Sequence, residues 1–294
     1  MDKTSVVQSL KVVVSKLTRF VGDVTFCKAL FFIKNRRAIN LDNPVSFSEK
    51  LYWLKLFGGL EHYSKYVDKV AVKDYVRSKQ LESILIPTLA VYDCAEEFSL
   101  NSLPSRFVLK LNNASGYNLV VTDKTKFSEA QLRKMIAKWL KIDFYLITRE
   151  QQYKPIKNQV IAEEFVEFGA EKALLDYKVY CFHGKPHMIQ VISERSGFDQ
   201  QHTYYDTDWN LLNLSRKEYP AGKAVSKPEK LSDMLYYAEL LAPDFPFCRV
   251  DFYLVDNKVL FGEITFIPAN ANLNFLPASK DVRLASLIRF QNLL

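Results

Sequence analysis

Residues 247–266, FCRVDFYLVDNKVLFGEITF, are the stretch on which the fold prediction depends. Apolar and aromatic residues fill two runs on either side of a short polar segment, a pattern that predicts a β-hairpin. Each run includes one acid, Asp251 in the first and Glu263 in the second. Burying a carboxylate is costly unless it is paired or binds a metal, so two acids in one apolar hairpin require an explanation.

The length of the turn decides whether these two acids face each other. A three-residue loop at 256–258 suits the Asn at its centre. It predicts three cross-strand pairs, which are Val255 with Val259, Tyr253 with Phe261, and Asp251 with Glu263. The carboxylates would then project from one face with Cβ atoms about 5 Å apart, where like charges repel. A two-residue turn would instead place the two acids on opposite faces.

Two interpretations of the paired acids remain open. One acid could be solvated at a sheet edge, or a cation could compensate both. Carboxylates on rigid strands suit Mg²⁺, which usually takes one or two of them together with substrate phosphates. The second interpretation therefore predicts a nucleotide site elsewhere in the chain.

Composition limits the class of protein. The 294 residues suffice for one large domain or two intimate lobes, and 48% hydrophobic with 25% charged residues is ordinary for a folded protein. The net charge of +7 permits polyanion binding, but the chain has no nucleic-acid motif, so no nucleic-acid partner is expected. Its four cysteines are scattered without a C-x-x-C pair, which favours a reducing cytoplasm.

The first residues include a charge every few positions and lack the long apolar core of a signal peptide. No stretch approaches the ~20 apolar residues of a membrane span. Apolar residues recur at helical spacing among basic ones: Val6, Leu10, Val13, Val14 and Leu17. The pattern predicts a helix packed on its own domain. The alternative is a peripheral helix at the inner face of a membrane.

The remaining patterns predict an α+β fold without regular βαβ alternation. SFSEKLYWLKLF and SEAQLRKMIAKWL are helices with capping boxes at Ser46 and Ser128, and residues 61–80 predict a further helix. LDYKVYCFHGKPHMIQVISER predicts a hairpin turning at 183–185. The absence of G-x-G-x-x-G disfavours a Rossmann fold.

A second informative stretch is FVLKLNNASGYNLVV, residues 107–121. Lys110 lies near the end of a predicted strand, and a loop with Ser115 and Gly116 follows it. Backbone N–H groups of such a turn beside a lysine form an anion-binding nest. A solvated lysine at a strand end would show the same pattern.

Taken together, the ordered blocks of this sequence resemble the ATP-grasp superfamily. The resemblance is strongest to the TupA-like branch, named for teichuronopeptide biosynthesis, among polysaccharide-biosynthesis proteins. The blocks that match in order are VDKVAVKDYV, FVLKLNNASG, IAEEFVE, DYKVYCFHGKP, YYDTDWN and FCRVDFYLVDNKVLFGEITF. The resemblance implies an ATP-grasp fold with two α+β lobes clamping the nucleotide. It divides the chain into a helical region (1–60), a first lobe (61–160) and a second lobe (161–294).

The resemblance also implies site residues. Lys110 would hold nucleotide phosphates, as would either Lys69 or Lys73, and Ser115 with Gly116 would belong to a loop that folds over them. A hinge at Glu163, Glu164, Phe165 and Val166 would meet the adenine through the backbone of Glu164 and Val166. Asp176 and Lys178 would lie near the ribose and phosphates, and the metal ligands would be Asp251, Glu263 and Thr265.

Four positions depart from the wider superfamily or stay ambiguous. Thr265 stands where many ATP-grasp enzymes have an Asn ligand, so Asn270 or Asn272 could supply the amide. The loop has Asn113 and Ala114 where related chains often have His and Gly. Arg195 is predicted to reach a transferring phosphoryl group or a substrate carboxylate, with an ion pair to Glu194 as the alternative.

The function implied is an ATP- and Mg²⁺-dependent ligase that joins a carboxylate to an amine, with Lys110 and Arg195 as catalytic residues. Its partners would be ATP, a carboxylated sugar or glycan precursor, and an amine or amino acid. One alternative is a glycosyltransferase of capsule or O-antigen biosynthesis. Its support in the sequence is a short D-x-D motif formed by Asp206 and Asp208. The other rival is a degenerate protein that binds nucleotide without catalysis.

Overall fold

The computed structural model describes residues 3–167, 175–193, 200–216, 218–219 and 221–290. Helices and antiparallel sheets together confirm the predicted α+β class. The α-helices are α1 (Lys3–Leu17), α2 (Asp23–Asn35), α3 (Phe47–Phe57), α4 (Ser64–Val67), α5 (Ala71–Ser78), α6 (Glu129–Trp139), α7 (Phe144–Thr148), α8 (Leu231–Leu241) and α9 (Ala278–Ser286). The strands are β1 (Thr88–Tyr92), β2 (Phe107–Leu111), β3 (Asn118–Val121), β4 (Val160–Glu164), β5 (Asp176–Phe182), β6 (Lys185–Ser193), β7 (Gln201–Asp206), β8 (Ser215–Arg216), β9 (Cys248–Val255), β10 (Lys258–Thr265) and β11 (Phe275–Leu276).

The chain divides into two compact units, each assembled from three segments. Unit 1 comprises Met1–Arg37, Gly59–Asp74 and Ile86–Val166. Unit 2 comprises Ala38–Gly58, Tyr75–Leu85 and Glu167–Leu294. The sequence prediction used three contiguous segments, and its boundaries remain a prediction.

Unit 1 contains a four-stranded antiparallel sheet in the order β1-β4-β2-β3. Strand β2 alternates buried and half-buried positions, as expected for a sheet with one face on the core. The strand–loop–strand predicted at 107–121 is confirmed, because Phe107 pairs with Val121 and Lys110 with Asn118. Leu132 and Ile136 of α6 belong to the same core.

Unit 2 contains a five-stranded antiparallel sheet in the order β10-β9-β5-β6-β7. All seven residues of the central strand β5 are buried. The hairpin predicted to turn at 183–185 is present, and its turn residues His183 and Gly184 have positive φ angles of 48° and 75°. Such a two-residue turn matches the twist of the strands that it joins.

Local signals in the sequence were reliable where a side chain caps a helix. The predicted capping boxes, Ser46 with Glu49 and Ser128 with Gln131, are both formed.

The single helix predicted over 61–80 is wrong, because the chain breaks between α4 and α5. At the break the carboxylate of Asp68 accepts hydrogen bonds from the Val70 backbone and from the Asn112 amide. An Asp side chain that bonds nearby backbone competes with helix continuation.

The N-terminal helix α1 forms as predicted and lies against α7 of its own unit, but four of its apolar side chains are exposed. Leu10, Val13, Val14 and Leu17 are 62%, 53%, 42% and 76% exposed, respectively. The predicted packing of the helix on its own domain is thus observed, but these four side chains take no part in it, and the side chain of Val6 lies outside the described residues. Among the described helices, none is both long and apolar enough to cross a membrane.

Candidate functional site

The hairpin of β9 and β10 has a tighter turn than the sequence predicted. Lys258 pairs with Val255, so the loop consists of Asp256 and Asn257 alone, both with positive φ. This two-residue turn overturns the predicted pairs of Val255 with Val259 and Tyr253 with Phe261. Instead, Val255 pairs with Lys258, Val259 with Leu254, Tyr253 with Leu260, and Phe261 with Phe252.

The two acids nevertheless face each other, because a β-bulge at Gly262 shifts the register by one residue. Phe261 pairs with Phe252, and the next pair is Glu263 with Asp251. A Cβ added at Gly262 would lie 3.0 Å from the backbone oxygen of Asp251, so this close approach favours glycine. A bulge leaves one residue unpaired and re-aims the side chains that follow it.

Asp251 is buried and accepts hydrogen bonds from two basic side chains. Arg249 donates from Nε to Oδ1 at 2.6 Å and from Nη2 to Oδ2 at 2.8 Å, and Lys178 donates to Oδ2 at 2.5 Å. Burial alone would raise the pKa of Asp251. The charges and hydrogen bonds of Arg249 and Lys178 outweigh that effect and hold the pKa below its ordinary value.

Glu263 and Thr265 complete the predicted metal-ligand set around this pair. The side chain of Glu263 is 43% exposed, and its Oε1 lies 3.7 Å from Nη2 of Arg249. The hydroxyl of Thr265 donates to the same Oε1 at 3.3 Å. Glu263 thus lies partly exposed on an edge strand, as the first interpretation expects, while Arg249 and Lys178 compensate Asp251. A metal ion shared by the two acids stays a prediction.

A polar row crosses the sheet of unit 2 at this level. Reading across the strands, the directly opposed residues are Glu263, Asp251, Lys178, Gln190 and Tyr204. Opposed residues project from the same face of a sheet. Lys178 also contacts Oδ2 of Asp176 at 2.7 Å, so the structure brings the predicted Asp176 and Lys178 together with Asp251.

Unit 1 holds a second cluster, centred on Glu163. Its two carboxylate oxygens contact Lys73 Nζ at 2.5 Å and Lys110 Nζ at 2.6 Å. Burial alone would raise the pKa of Glu163, but both lysines lower it, and the net direction is downward. The Lys110 side chain is 25% exposed and that of Lys73 only 8%. Lys110 is therefore the lysine of this cluster that a solute can reach.

Lys69 and Lys73, between which the sequence could not choose, occupy different places. Lys73 also donates to Ile86 O and Thr88 Oγ1, at 2.8 and 2.7 Å. Lys69 donates to Ala114 O at 2.9 Å and so braces the loop that follows β2. In this structure Lys73 belongs to the Lys110 cluster and Lys69 to the loop.

The predicted phosphate loop is anchored on one side and exposed on the other. Asn113 is buried and donates to Asn158 Oδ1 at 2.8 Å, and Ala114 is buried beside it. Ser115 and Gly116 are exposed, and Gly116 has a φ of 81°. The residues that replace the usual His and Gly thus face inward, while the two predicted phosphate contacts face solvent.

The predicted hinge lies where unit 1 ends, at Val166. Glu164 is the last residue of β4 and is exposed, and its N–H donates to Pro87 O at 3.0 Å. That backbone donor is therefore occupied. The Phe165 ring lies 5.1 Å from the guanidinium carbon of Arg106. Predicted Arg195, with its alternative partner Glu194, falls outside the described residues.

Comparison with known families identifies the fold family of the chain. The family described as TupA-like ATPgrasp matches residues 49–289. This chain belongs to the TupA-like ATP-grasp family. Membership confirms the predicted family and the predicted ATP-grasp fold. No curated protein matches the chain in sequence.

Several solved structures resemble the chain at low sequence identity. D-alanine–D-alanine ligase from Bacillus anthracis complexed with ATP has 15% identity and a TM-score of 0.43, over 82% of this chain and 65% of that one. L-amino acid ligase from Bacillus licheniformis has 12% identity and a TM-score of 0.46, over 77% and 51%. D-alanyl-alanine synthetase A from Vibrio cholerae has 11% identity and a TM-score of 0.42, over 93% and 71%. The chain thus spans just under two thirds of the Bacillus anthracis ligase.

Sequence reasoning missed Arg249 in this TupA-like ATP-grasp chain. Arg249 and Asp251 are two residues apart on β9, so both project from one face of the strand. That i, i+2 spacing was a readable signal for an ion pair beside a predicted metal ligand. Burial disfavours the charge of Arg249, yet Asp251 and neighbouring groups raise its pKa, so it stays protonated.

The two asparagines offered as a substitute ligand are held by α3. Oδ1 of Asn270 accepts from the buried Lys55 at 2.6 Å, and Oδ1 of Asn272 accepts from the Tyr52 hydroxyl at 3.3 Å. Ala269, Asn270 and Ala271 all have positive φ. The structure therefore gives these amides a bracing role between α3 and the 3₁₀ turn at 268–271.

His202 is buried on the same sheet face as the polar row. Burial, together with the charges of Arg216, Lys178 and Arg249, lowers the pKa of His202 to about 4. Its Nδ1 lies 2.9 Å from the Gln190 amide nitrogen. The imidazole is neutral near pH 7 and so serves as a fixed hydrogen-bonding group.

Proposed function

We propose that this chain is an ATP- and Mg²⁺-dependent carboxylate–amine ligase that modifies a bacterial surface polysaccharide or its precursor. The acceptor would be a uronic acid, and the amine that of an amino acid. The observation that supports this best is the opposition of Asp251 and Glu263 on a polar sheet face, beside Lys178 and Arg249. A hairpin bulged at Gly262 to align two acids has little purpose in a purely structural strand pair.

The donor set around the hairpin fits Mg²⁺. Asp251, Glu263 and Thr265 offer oxygen atoms only, which are the ligands that this hard cation prefers. An ionised carboxylate accepts about four hydrogen bonds or metal contacts in total, and three donors engage Asp251. One further contact to a cation fits that capacity. When bound, Mg²⁺ would neutralise phosphate charge during phosphoryl transfer.

The reaction balances without a protein nucleophile. A carboxylate oxygen of the acid substrate attacks the γ-phosphorus of ATP, and ADP leaves with the electrons of the broken P–O bond. The amine then attacks the acyl carbon, inorganic phosphate leaves with the C–O electrons, and the nitrogen loses a proton. Lys178 and Arg249 would stabilise the anionic groups passing along the polar face of unit 2.

In unit 1 the nucleotide-binding proposal rests on Lys110 and the exposed loop. Lys110 is held in place by Glu163 yet remains partly exposed, so a phosphate oxygen can replace solvent beside its ammonium group. Ser115 and Gly116, exposed in the loop that follows β2, would offer backbone N–H groups to the same phosphates. The adenine would meet the backbone near Glu164 and Val166. Because the Glu164 N–H is occupied, its carbonyl is the group proposed for that contact.

The proposed location is the cytoplasm, at the inner face of the membrane. All four cysteines are free thiols, three of them buried, which suits a reducing compartment. Three partners belong to the proposal, namely ATP, a carboxylated glycan precursor and an amino-acid amine.

The glycosyltransferase alternative loses its sequence support in the structure. The Asp206 carboxylate accepts three hydrogen bonds within its own turn, from the Asp208 N–H and from the backbone and amide nitrogens of Asn210. An Asp that caps a turn in this way is satisfied without a metal or nucleotide sugar.

Mass spectrometry of pooled reactions would test the proposal. Purified protein is incubated with ATP, Mg²⁺, pooled uronic acids and pooled amino acids, and a condensed product is sought together with ADP and phosphate. Loss of the condensed product, ADP and phosphate in Lys110→Ala, with retention of all three in Lys141→Ala, would support a ligase. Transfer from a nucleotide sugar without ATP would establish a glycosyltransferase. ATP binding without any product would establish a non-catalytic protein.

A further inference from the structure

The N-terminal helix α1 lies on unit 1 with its polar side inward. Ser15 is buried, and the Gln8 amide donates to Gly116 O at 2.6 Å. α1 also lies against α7 of the same unit. In an ordinary surface helix the apolar side faces the protein, so this arrangement is inverted.

The outward side of α1 is a continuous apolar face. At 100° per residue, Leu10, Val13, Val14 and Leu17 fall within an arc of about 100°. Phe20, in the turn after the helix, is 84% exposed. We call these five residues the α1 face. Of the sixteen exposed large apolar residues in the described chain, eight lie between residues 10 and 33, so the exposure is concentrated in this segment of unit 1.

The segment that contains the α1 face is basic. Residues 10–37 include seven exposed basic side chains, which are Lys11, Lys16, Arg19, Lys28, Lys34, Arg36 and Arg37. Lys11 and Lys16 lie about 110° to either side of the centre of the face, by the same helical geometry. Asp23, the one acid in that range, is held by Arg149, Tyr145 and Gln151.

We propose that the α1 face binds the surface of an anionic lipid bilayer, with the helix lying in the plane of the interface. Apolar side chains would enter the boundary between headgroups and acyl chains, while Lys11 and Lys16 extend to the lipid phosphates. Basic residues next to the membrane add attraction to anionic lipids. A second copy is a poorer occupant, because pairing two α1 faces would place lysine beside lysine.

This inference does not depend on ligase activity, and vesicle co-sedimentation tests it directly. The full chain is mixed with vesicles of phosphatidylglycerol and phosphatidylcholine in equal amounts, or of phosphatidylcholine alone. We expect binding to the anionic vesicles and much weaker binding to the neutral ones. In about 1 M salt, where the screening length is about 3 Å, binding to anionic vesicles should fall towards the neutral level.

Two variants separate the apolar and electrostatic contributions. Leu10→Gln with Leu17→Gln should weaken binding by about tenfold per leucine, because each removes an apolar side chain from the bilayer. Lys11→Gln with Lys16→Gln should weaken binding to anionic vesicles only. Leu211→Gln, at a leucine 59% exposed in unit 2, is the matched control and should bind like the parent. Circular dichroism melting of each variant shows that it is folded.

Three results would overturn the proposal. The parent could fail to bind anionic vesicles, or the double leucine variant could bind as well as the parent. Alternatively, analytical ultracentrifugation could show that the parent self-associates while the leucine variant is monomeric, which would make a second copy the occupant. ATP binding measured on the same samples keeps this test separate from that of the proposed function.

Discussion

The ammonium nitrogen of Lys178 lies 2.5 Å from Oδ2 of Asp251, across the neighbouring strands β5 and β9. Arg249 holds the same carboxylate from its own strand. The like-charge repulsion expected between Asp251 and Glu263 is therefore compensated within the protein, before any metal binds. Removing the charge of Asp251 should therefore not stabilise the metal-free protein by relieving repulsion. It should destabilise the protein, because the compensating ion pairs are lost.

Asp251→Asn should destabilise the metal-free protein. The change leaves Lys178 and Arg249 buried with less negative charge beside them, and breaking a buried ion pair in this way costs about 3–5 kcal/mol. Urea denaturation measures the free energy of unfolding. Asp256→Asn, in the exposed turn of the same hairpin, is the control and should change it by less than about 0.5 kcal/mol. A fully stable Asp251→Asn protein would show that the cations relax into solvent.

Gly262→Ala should disturb the alignment of the two acids. The new methyl would lie 3.0 Å from Asp251 O, a backbone atom that cannot easily move, so we expect a loss of about 1–3 kcal/mol. Any thermal stabilisation by Mg²⁺ with ATP should shrink as well, because ligand linkage depends on the folded site. Differential scanning fluorimetry measures both effects.

Gly22→Ala is the matched control for that change, because nothing lies within 4 Å of its added Cβ. It should alter the melting temperature little. Equal melting curves for the two alanine variants, with unchanged ligand response, would mean that the bulge has no part in aligning Asp251 with Glu263.

Local chemistry made part of the fold predictable. The capping boxes at Ser46 and Ser128 depend on residues three apart, so the sequence contains the whole interaction. The hairpin register was predicted wrongly, because Asn257 suits either turn length. A glycine inside a strand, such as Gly262, often marks a β-bulge. A bulge predicted there would have been compatible with both a two-residue turn and the pairing of Asp251 with Glu263.

The charge balance of the site was not predictable in the same way. Lys178 meets Asp251 because β5 and β9 are neighbours in the sheet, although the residues are 73 positions apart. Glu163 likewise gathers Lys73 and Lys110 from two other elements. The residue types were readable in the sequence, but the pairing of distant strands decides which charges compensate each other.

Lys110→Ala should weaken ATP binding, because its ammonium is the exposed charge of the Glu163 cluster. Loss of a charge-assisted hydrogen bond costs about 1.5–3 kcal/mol, which corresponds to roughly ten- to 150-fold in affinity. Isothermal titration calorimetry with ATP and Mg²⁺ measures the change. Lys141→Ala removes an exposed lysine of unit 1 outside the cluster and should leave the affinity unchanged. Equal affinities for both variants would remove Lys110 from the nucleotide site.

Glu163 should make folding stability depend on acid pH. Its pKa in the folded protein is lowered, because Lys110 and Lys73 outweigh burial. A carboxyl whose folded pKa lies below its unfolded value stabilises the fold above the unfolded pKa, about 4.3 for Glu, and that contribution is lost as pH falls through the lower folded value.

The slope of stability against pH below about 4.5 should therefore be shallower in Glu163→Gln than in the parent, by at most about 1.4 kcal/mol per pH unit for one proton. Urea denaturation at a series of pH values measures it, and Glu164→Gln is the control, since its side chain is exposed. Glu163→Gln should also be less stable than the parent at pH 7, because two lysines lose their shared partner. Identical acid slopes for parent and Glu163→Gln would mean that the lysines do not lower the pKa of Glu163 in solution.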